Sequence, residues 1–82
     1  MPLVLSMKEG EGFNIDHLSI DVDKIFSGTE FRLRCGDIYL YVSDHPLHVA
    51  EGVRIKSGLR GQKRLARVWI DADKKKKISR KT

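Results

Sequence analysis

Residues 31–42, FRLRCGDIYLYV, decide the fold class of this 82-residue chain. Apolar side chains occupy every second position before the Gly36-Asp37 pair and again after it, separated first by arginines and then by tyrosines. A period of two places alternate side chains on opposite faces of a β-strand, whereas a helix repeats every three or four residues. Glycine followed by aspartate favours a turn. The stretch therefore predicts two short strands, each with one apolar face.

The same alternation recurs at residues 3–7, 18–23 and 53–56, and a mixed apolar run follows at residues 65–70. Turn-forming glycine, serine and proline residues separate these runs, and short strands at this spacing are typical of all-β domains. We therefore predict a mostly β fold, a small antiparallel barrel or sandwich of short strands with a basic C-terminal hairpin. Residues 46–51 could form a short helix, because proline suits a first helical turn.

Length and composition indicate one small β domain in residues 1–73, followed by a disordered basic tail in residues 74–82. A domain of this size builds only a thin core, and a run of like charges repels itself. We find no signal peptide and no apolar run near the ~18 residues that a membrane span requires. The single cysteine cannot form an internal disulfide, which favours a reducing compartment and predicts a cytoplasmic location.

Charge is distributed unevenly along the chain. Residues 1–52 hold four basic and nine acidic side chains, a net charge of −5, whereas residues 53–82 hold twelve basic and two acidic ones, a net charge of +10. Such asymmetry is typical of proteins that meet a polyanion. We expect the cations after Gly52 to form one continuous patch that contacts phosphates.

Cations grouped on one hairpin can neutralise several phosphates and release their counterions. The candidates for phosphate contact are Lys8, Arg54, Lys56, Arg60, Lys63, Arg64 and Arg67. The alternative is an ordinary solvated hairpin whose charges only improve solubility. The basic tail would add attraction that does not depend on sequence.

Three aromatic residues could stack on unpaired bases. Tyr39 and Tyr41 alternate with apolar neighbours and therefore point away from the core, which makes them the better candidates. A dimer interface is the main alternative for this pair. We expect Trp69, the sole tryptophan, to lie in the core.

No motif indicates an enzyme, a metal site or a cofactor. His45 and His48 are three residues apart, but a closed zinc site needs four ligands, and Cys35 is the only cysteine. We interpret Cys35 as a small core residue. Ser43, Asp44 and His45 are the residue types of a catalytic triad, but adjacency in sequence does not orient them around a substrate.

The first part of the chain resembles the carbon storage regulator family of small RNA-binding proteins. The segments LVLSMKEGEGFNI, LSIDV and SGTEFRLRC follow the family's order without a gap over residues 3–35. The matching positions are Lys8, Gly10, Glu11, Ile15, Ile20, Gly28 and Arg32. Met7 stands where the family has an arginine, and the family's second RNA-binding arginine has no clear counterpart after Cys35.

The resemblance implies a homodimer that exchanges its first strands, and repression of translation by binding hairpin loops near ribosome-binding sites. We therefore predict an RNA-binding regulator that acts by steric occlusion, without bond chemistry. One alternative is a protein-interaction module with a regulator-like scaffold that pairs with or antagonises another regulator. The other is a sequence-independent nucleic-acid-binding protein, since cations and aromatic residues do not distinguish RNA from DNA.

Overall fold

A computed structural model describes residues 2–58 and 64–81, and it confirms the predicted mostly β fold. Within these residues the chain forms nine strands and no helix. The strands are β1 (Leu3–Met7), β2 (Gly12–Ile15), β3 (Leu18–Ile25), β4 (Phe31–Cys35), β5 (Ile38–Val42), β6 (Leu47–Ala50), β7 (Val53–Ser57), β8 (Ala66–Ala72) and β9 (Ile78–Arg80).

The strands form two antiparallel sheets. The four-stranded sheet has the order β1-β8-β7-β6, and the five-stranded sheet has the order β5-β4-β3-β2-β9. The first strand pairs with β8 of its own chain, from Leu3 opposite Ile70 to Met7 opposite Ala66. In this single chain β1 thus pairs with β8, and the exchange of first strands between two copies, which the resemblance implied, stays a prediction.

One hydrophobic core joins the inner faces of both sheets. The fully buried side chains of the four-stranded sheet include Met7, Ile55 and Ile70, and those of the five-stranded sheet include Phe13 and Phe31. Each lies on the apolar side of an alternating strand, so burial of that side holds the two sheets together. The outer faces carry the polar side chains and the remaining aromatic residues.

Two tight connections depend on residues that tolerate a positive φ. Asp16 has φ 52° between β2 and β3, and Gly36 has φ 62° between β4 and β5. Glycine has no Cβ to clash in this region, and aspartate is among the few other residues that visit it routinely. The Gly36-Asp37 turn is therefore correctly placed by the sequence pattern.

The structure corrects the prediction of a disordered tail for Ile78–Arg80, which form β9 and pair with β2. Asp16 anchors this strand, because its backbone N–H donates to the Lys77 carbonyl over 2.8 Å and its Oδ1 accepts from the Lys77 N–H over 2.9 Å. These bonds and the ladder with β2 satisfy backbone groups that a tail would expose to water.

The short helix considered for residues 46–51 is also wrong, because Leu47–Ala50 form the strand β6. Leu47 lies opposite Ile55 of β7, and Val49 packs against the core. Six residues form too short a helix to be stable alone, whereas pairing with β7 satisfies the backbone and buries the apolar side chains.

Candidate nucleic-acid interface

The outer face of the four-stranded sheet brings together three of the predicted phosphate-contacting cations. Arg54 and Lys56 alternate with buried residues along β7, and Arg67 does the same on β8. Because Lys56 lies directly opposite Trp69, the ring shares this face with them. We call the surface formed by Arg54, Lys56, Arg67, Trp69 and Val4 the tryptophan face.

Trp69 corrects the expectation that the only tryptophan lies in the core. Its neighbours Val68 and Ile70 are fully buried, and Trp69 is half-buried on the opposite side of the strand. Alternation along residues 66–70 already contained this signal, since three apolar side chains at even numbers leave Trp69 outside. At this position the period of two outweighs the general tendency of tryptophan to be buried.

The cations of the tryptophan face differ in how they are paired. Arg54 donates to Asp71 Oδ2 over 2.5 Å, so its charge is partly neutralised. The Lys56 ammonium lies 4.5 Å from the centroid of the Trp69 ring. Among the described residues, no carboxylate lies within 4.0 Å of the charged groups of Lys56 or Arg67. These two cations are therefore available to an external anion.

A depression of about 220 Å³ opens beside Trp69, at the end of β7. We call it the Trp69 depression, and it is lined by Val4, Lys56, Ser57, Gly58, Arg67 and Trp69. Its lining combines an aromatic ring, an apolar side chain and two cations, and contains no carboxylate. The sequence pattern predicted Lys56 and Arg67 but not Val4, which the register of β1 with β8 brings to this face from a distant part of the chain. Ser57 and Gly58 follow Lys56 directly but carry no charge that would have indicated a site.

Tyr39 and Tyr41 lie on the outer face of the other sheet. They are 49% and 66% exposed, and Arg32 of the neighbouring strand lies beside both rings, at 5.0 Å and 5.9 Å from their centroids. Phe26 adds a third ring, 5.8 Å from the Arg32 guanidinium. We call the surface formed by Phe26, Arg32, Tyr39 and Tyr41 the tyrosine face.

Arg32, the cation at the centre of the tyrosine face, is paired internally. Its Nε donates to Asp23 Oδ2 over 2.6 Å, and a second guanidinium nitrogen contacts the same oxygen. Tyr41 and then Asp23 raise the pKa of the guanidinium, since both stabilise its charged form. The tyrosine face is therefore rich in exposed aromatic surface, but its central charge already has a partner.

The remaining predicted cations lie elsewhere. Lys8 and Arg64 line a separate depression of about 520 Å³, together with Glu9 and Ile25. Arg60 and Lys63 lie outside the described residues, in the segment that connects β7 to β8. Lys8 and Arg64 thus lie near each other, but a carboxylate shares their depression.

The prediction of one continuous cationic patch after Gly52 is wrong for the described residues. Lys76 pairs with Asp16 at 3.8 Å, and Lys81 pairs with Asp21 at 2.7 Å, both at the β9 side of the five-stranded sheet. The acidic first part of the chain therefore binds part of the basic last part. On the other sheet, Lys56 and Arg67 have no carboxylate partner in the part of the chain that the structure describes.

Met7, where the family pattern has an arginine, is fully buried opposite Ala66. This position faces the core and offers no surface to RNA.

No family model matches the chain, and no curated protein and no solved structure matches it either. Membership of the carbon storage regulator family therefore stays a prediction from the motifs.

Neither a metal centre nor a membrane span emerges from the described residues. Within residues 2–58 and 64–81, no three histidine, cysteine or acidic side chains are grouped so that they could hold a metal ion. The same part of the chain contains no helix long and apolar enough to cross a membrane.

Cys35, expected in the core, is partly buried and packs against the core.

Proposed function

We propose that this protein binds single-stranded RNA across the tryptophan face. The observation that carries the proposal is the placement of Lys56 and Arg67, two cations without a carboxylate partner in residues 2–58 and 64–81, beside a half-buried tryptophan. Binding of single-stranded nucleic acid combines the same two elements, cations along the backbone and aromatic rings under the bases. Antiparallel strands β7 and β8 hold the Trp69 ring and both cations, so the arrangement exists before RNA binds.

The connection between β7 and β8 adds to this argument through its sequence. It carries Arg60, Lys63 and Arg64, and it joins the two strands that hold Lys56 and Arg67. With Arg54 partly neutralised by Asp71, we count about five cations that could meet phosphates. For a single strand, the logarithm of the binding constant should then fall with the logarithm of salt concentration with a slope of about −3.5.

Fluorescence anisotropy of a labelled single-stranded RNA over a series of salt concentrations tests this proposal. The double variant Lys56→Gln with Arg67→Gln should make the slope shallower by about 1.4, because each lost phosphate contact removes about 0.7. The control variant Lys76→Gln with Lys81→Gln changes the net charge equally but removes cations that are already paired. A slope near zero, or an equal change in the control, would contradict the proposal.

RNA rather than DNA, and repression of translation rather than another outcome, are parts of the proposal supported by the family resemblance. A protein bound at the ribosome-binding region of a messenger would exclude the ribosome sterically. Sequencing of the RNA that co-purifies with the full chain should show enrichment of such regions, and unlabelled RNA should compete better than DNA of the same sequence. If the co-purifying RNA showed no enrichment and DNA competed as well as RNA, the function would reduce to sequence-independent nucleic-acid binding.

A second candidate function is protein binding at the tyrosine face, either to another regulator or to a second copy of this chain. Strand β5, which carries both tyrosines, lies at the edge of its sheet and has no charged residue. Ile38 at its start is 63% exposed. Uncharged edge strands are templates for pairing with another strand. Pull-down with and without RNase separates the candidates, since a protein retained after RNase treatment supports this one and loss of all partners supports RNA binding.

A further inference from the structure

The Trp69 depression has features that phosphate binding alone does not require. Trp69 and Val4 provide an aromatic and an apolar wall, and the two lie directly opposite each other on β8 and β1. A phosphate would gain nothing from such walls, whereas a planar base buries its faces against them. The depression therefore suits a base better than a phosphate.

Gly58 keeps the depression open. A Cβ added at this position would lie 3.3 Å from Val4 Cγ1 and 3.5 Å from Arg67 Cβ. Any larger side chain would therefore occupy the space between these two lining residues. Gly58 also has no positive φ to explain its presence, since the described glycines with positive φ are Gly10, Gly36 and Gly52.

One polar side-chain atom of the lining has no partner among the described residues. The Nε of Arg67 is buried and makes no hydrogen bond within residues 2–58 and 64–81. Buried polar groups are nearly always hydrogen-bonded, and each orphan group costs free energy. A ligand that accepts hydrogen bonds would remove this cost.

The two cationic side chains of the lining, Lys56 and Arg67, can only donate hydrogen bonds. Uracil and guanine present ring carbonyl oxygens to such donors, whereas adenine presents ring nitrogens and an amino group that is itself a donor. We infer that the Trp69 depression holds one unstacked nucleobase and prefers a base with carbonyl oxygens over adenine. This inference rests on the proposed function, RNA binding on the same face.

The experiment compares the affinities of the full chain for the octamers rU8 and rA8. Trp69 reports on the depression directly, because it is the only tryptophan and its emission should change when a base stacks beside it. Adenine runs also stack on themselves, so the decisive quantity is the change in the rU8-to-rA8 affinity ratio between wild type and variants. We expect the wild type to favour rU8 about fivefold, which corresponds to one net hydrogen bond.

Arg67→Lys keeps the charge but removes the planar donors, so it should bring the ratio close to one while the salt slope stays unchanged. Arg34→Lys is the matched control, since Arg34 is exposed on β4 of the other sheet and does not line the depression. It should leave the ratio unchanged.

A ratio that is the same in wild type and Arg67→Lys would overturn base selection. If salt-dependent binding of both octamers persisted in that case, the proposed RNA binding would stand and only the inference would fall. If neither octamer bound, or if binding did not depend on salt, the proposed function would fall together with the inference.

Discussion

The two outer faces of this protein have similar compositions but differ in whether their cations are paired with a carboxylate. Each face places arginine or lysine against aromatic rings, Lys56 and Arg67 with Trp69 on one sheet and Arg32 with Tyr39 and Tyr41 on the other. On the tyrosine face, Asp23 binds the central arginine. On the tryptophan face, two cations have no such carboxylate among the described residues. We therefore expect a cation of this protein to contribute to polyanion binding only where the fold leaves it unpaired.

Charge reversal on each face should produce the largest contrast. Lys56→Glu with Arg67→Glu should weaken RNA binding roughly 100-fold or more, because it removes two phosphate contacts and adds repulsion. Lys24→Glu with Arg34→Glu makes the same change on exposed residues of the other sheet and should weaken binding far less. Anisotropy titrations at one fixed salt concentration measure both. Equal losses would show that net charge alone determines the affinity.

Removal of one aromatic ring from each face should give the next largest contrast. Trp69→Ala should weaken RNA binding by roughly tenfold, since stacking of a base on an aromatic ring contributes about 1–3 kcal/mol. Tyr41→Ala removes a ring that is more exposed, and we expect less than a twofold effect. Circular dichroism and thermal melting should show that both variants remain folded. A larger loss from Tyr41→Ala would move the binding site to the tyrosine face.

Removal of the carboxylate that pairs with Arg32 should have the smallest effect on RNA affinity. It is also the most specific test of the difference between the two faces. Asp23→Asn removes the carboxylate that binds Arg32 but keeps a side chain of the same shape. The tyrosine face would then carry an unpaired cation among its rings, so RNA affinity should rise about twofold and the salt slope should steepen by about 0.7. Asp37→Asn makes the same charge change in the turn after β4 and serves as the control. Equal effects would mean that only net charge had changed.

Sequence alternation predicted the fold class because it depends on local residue order. The period of two in residues 31–42 and the turn at Gly36 correspond to β4, β5 and the connection between them. The same signal places Trp69 outside the core, against the general tendency of tryptophan to be buried. These features could be predicted because neighbouring residues determine which face a side chain occupies.

Pairings between distant residues could not be predicted in the same way. The Lys81–Asp21 and Lys76–Asp16 pairs form only because β9 lies beside β2, and they divide the cations that the sequence suggested would act together. The Trp69 depression likewise depends on the register that places Val4 and Lys56 on either side of Trp69. No local pattern specifies these registers, since many alignments of short alternating strands satisfy the same periodicity.

A ¹⁵N–¹H NMR titration of the full chain with unlabelled single-stranded RNA tests the central claim most directly. It follows the backbone amide resonances and the indole N–H resonance of Trp69. We expect the largest shifts at the Trp69 indole, Val4, Lys56 and Arg67, with little change along β4 and β5. Shifts centred on Tyr39 and Tyr41, with the Trp69 indole unmoved, would contradict RNA binding at the tryptophan face.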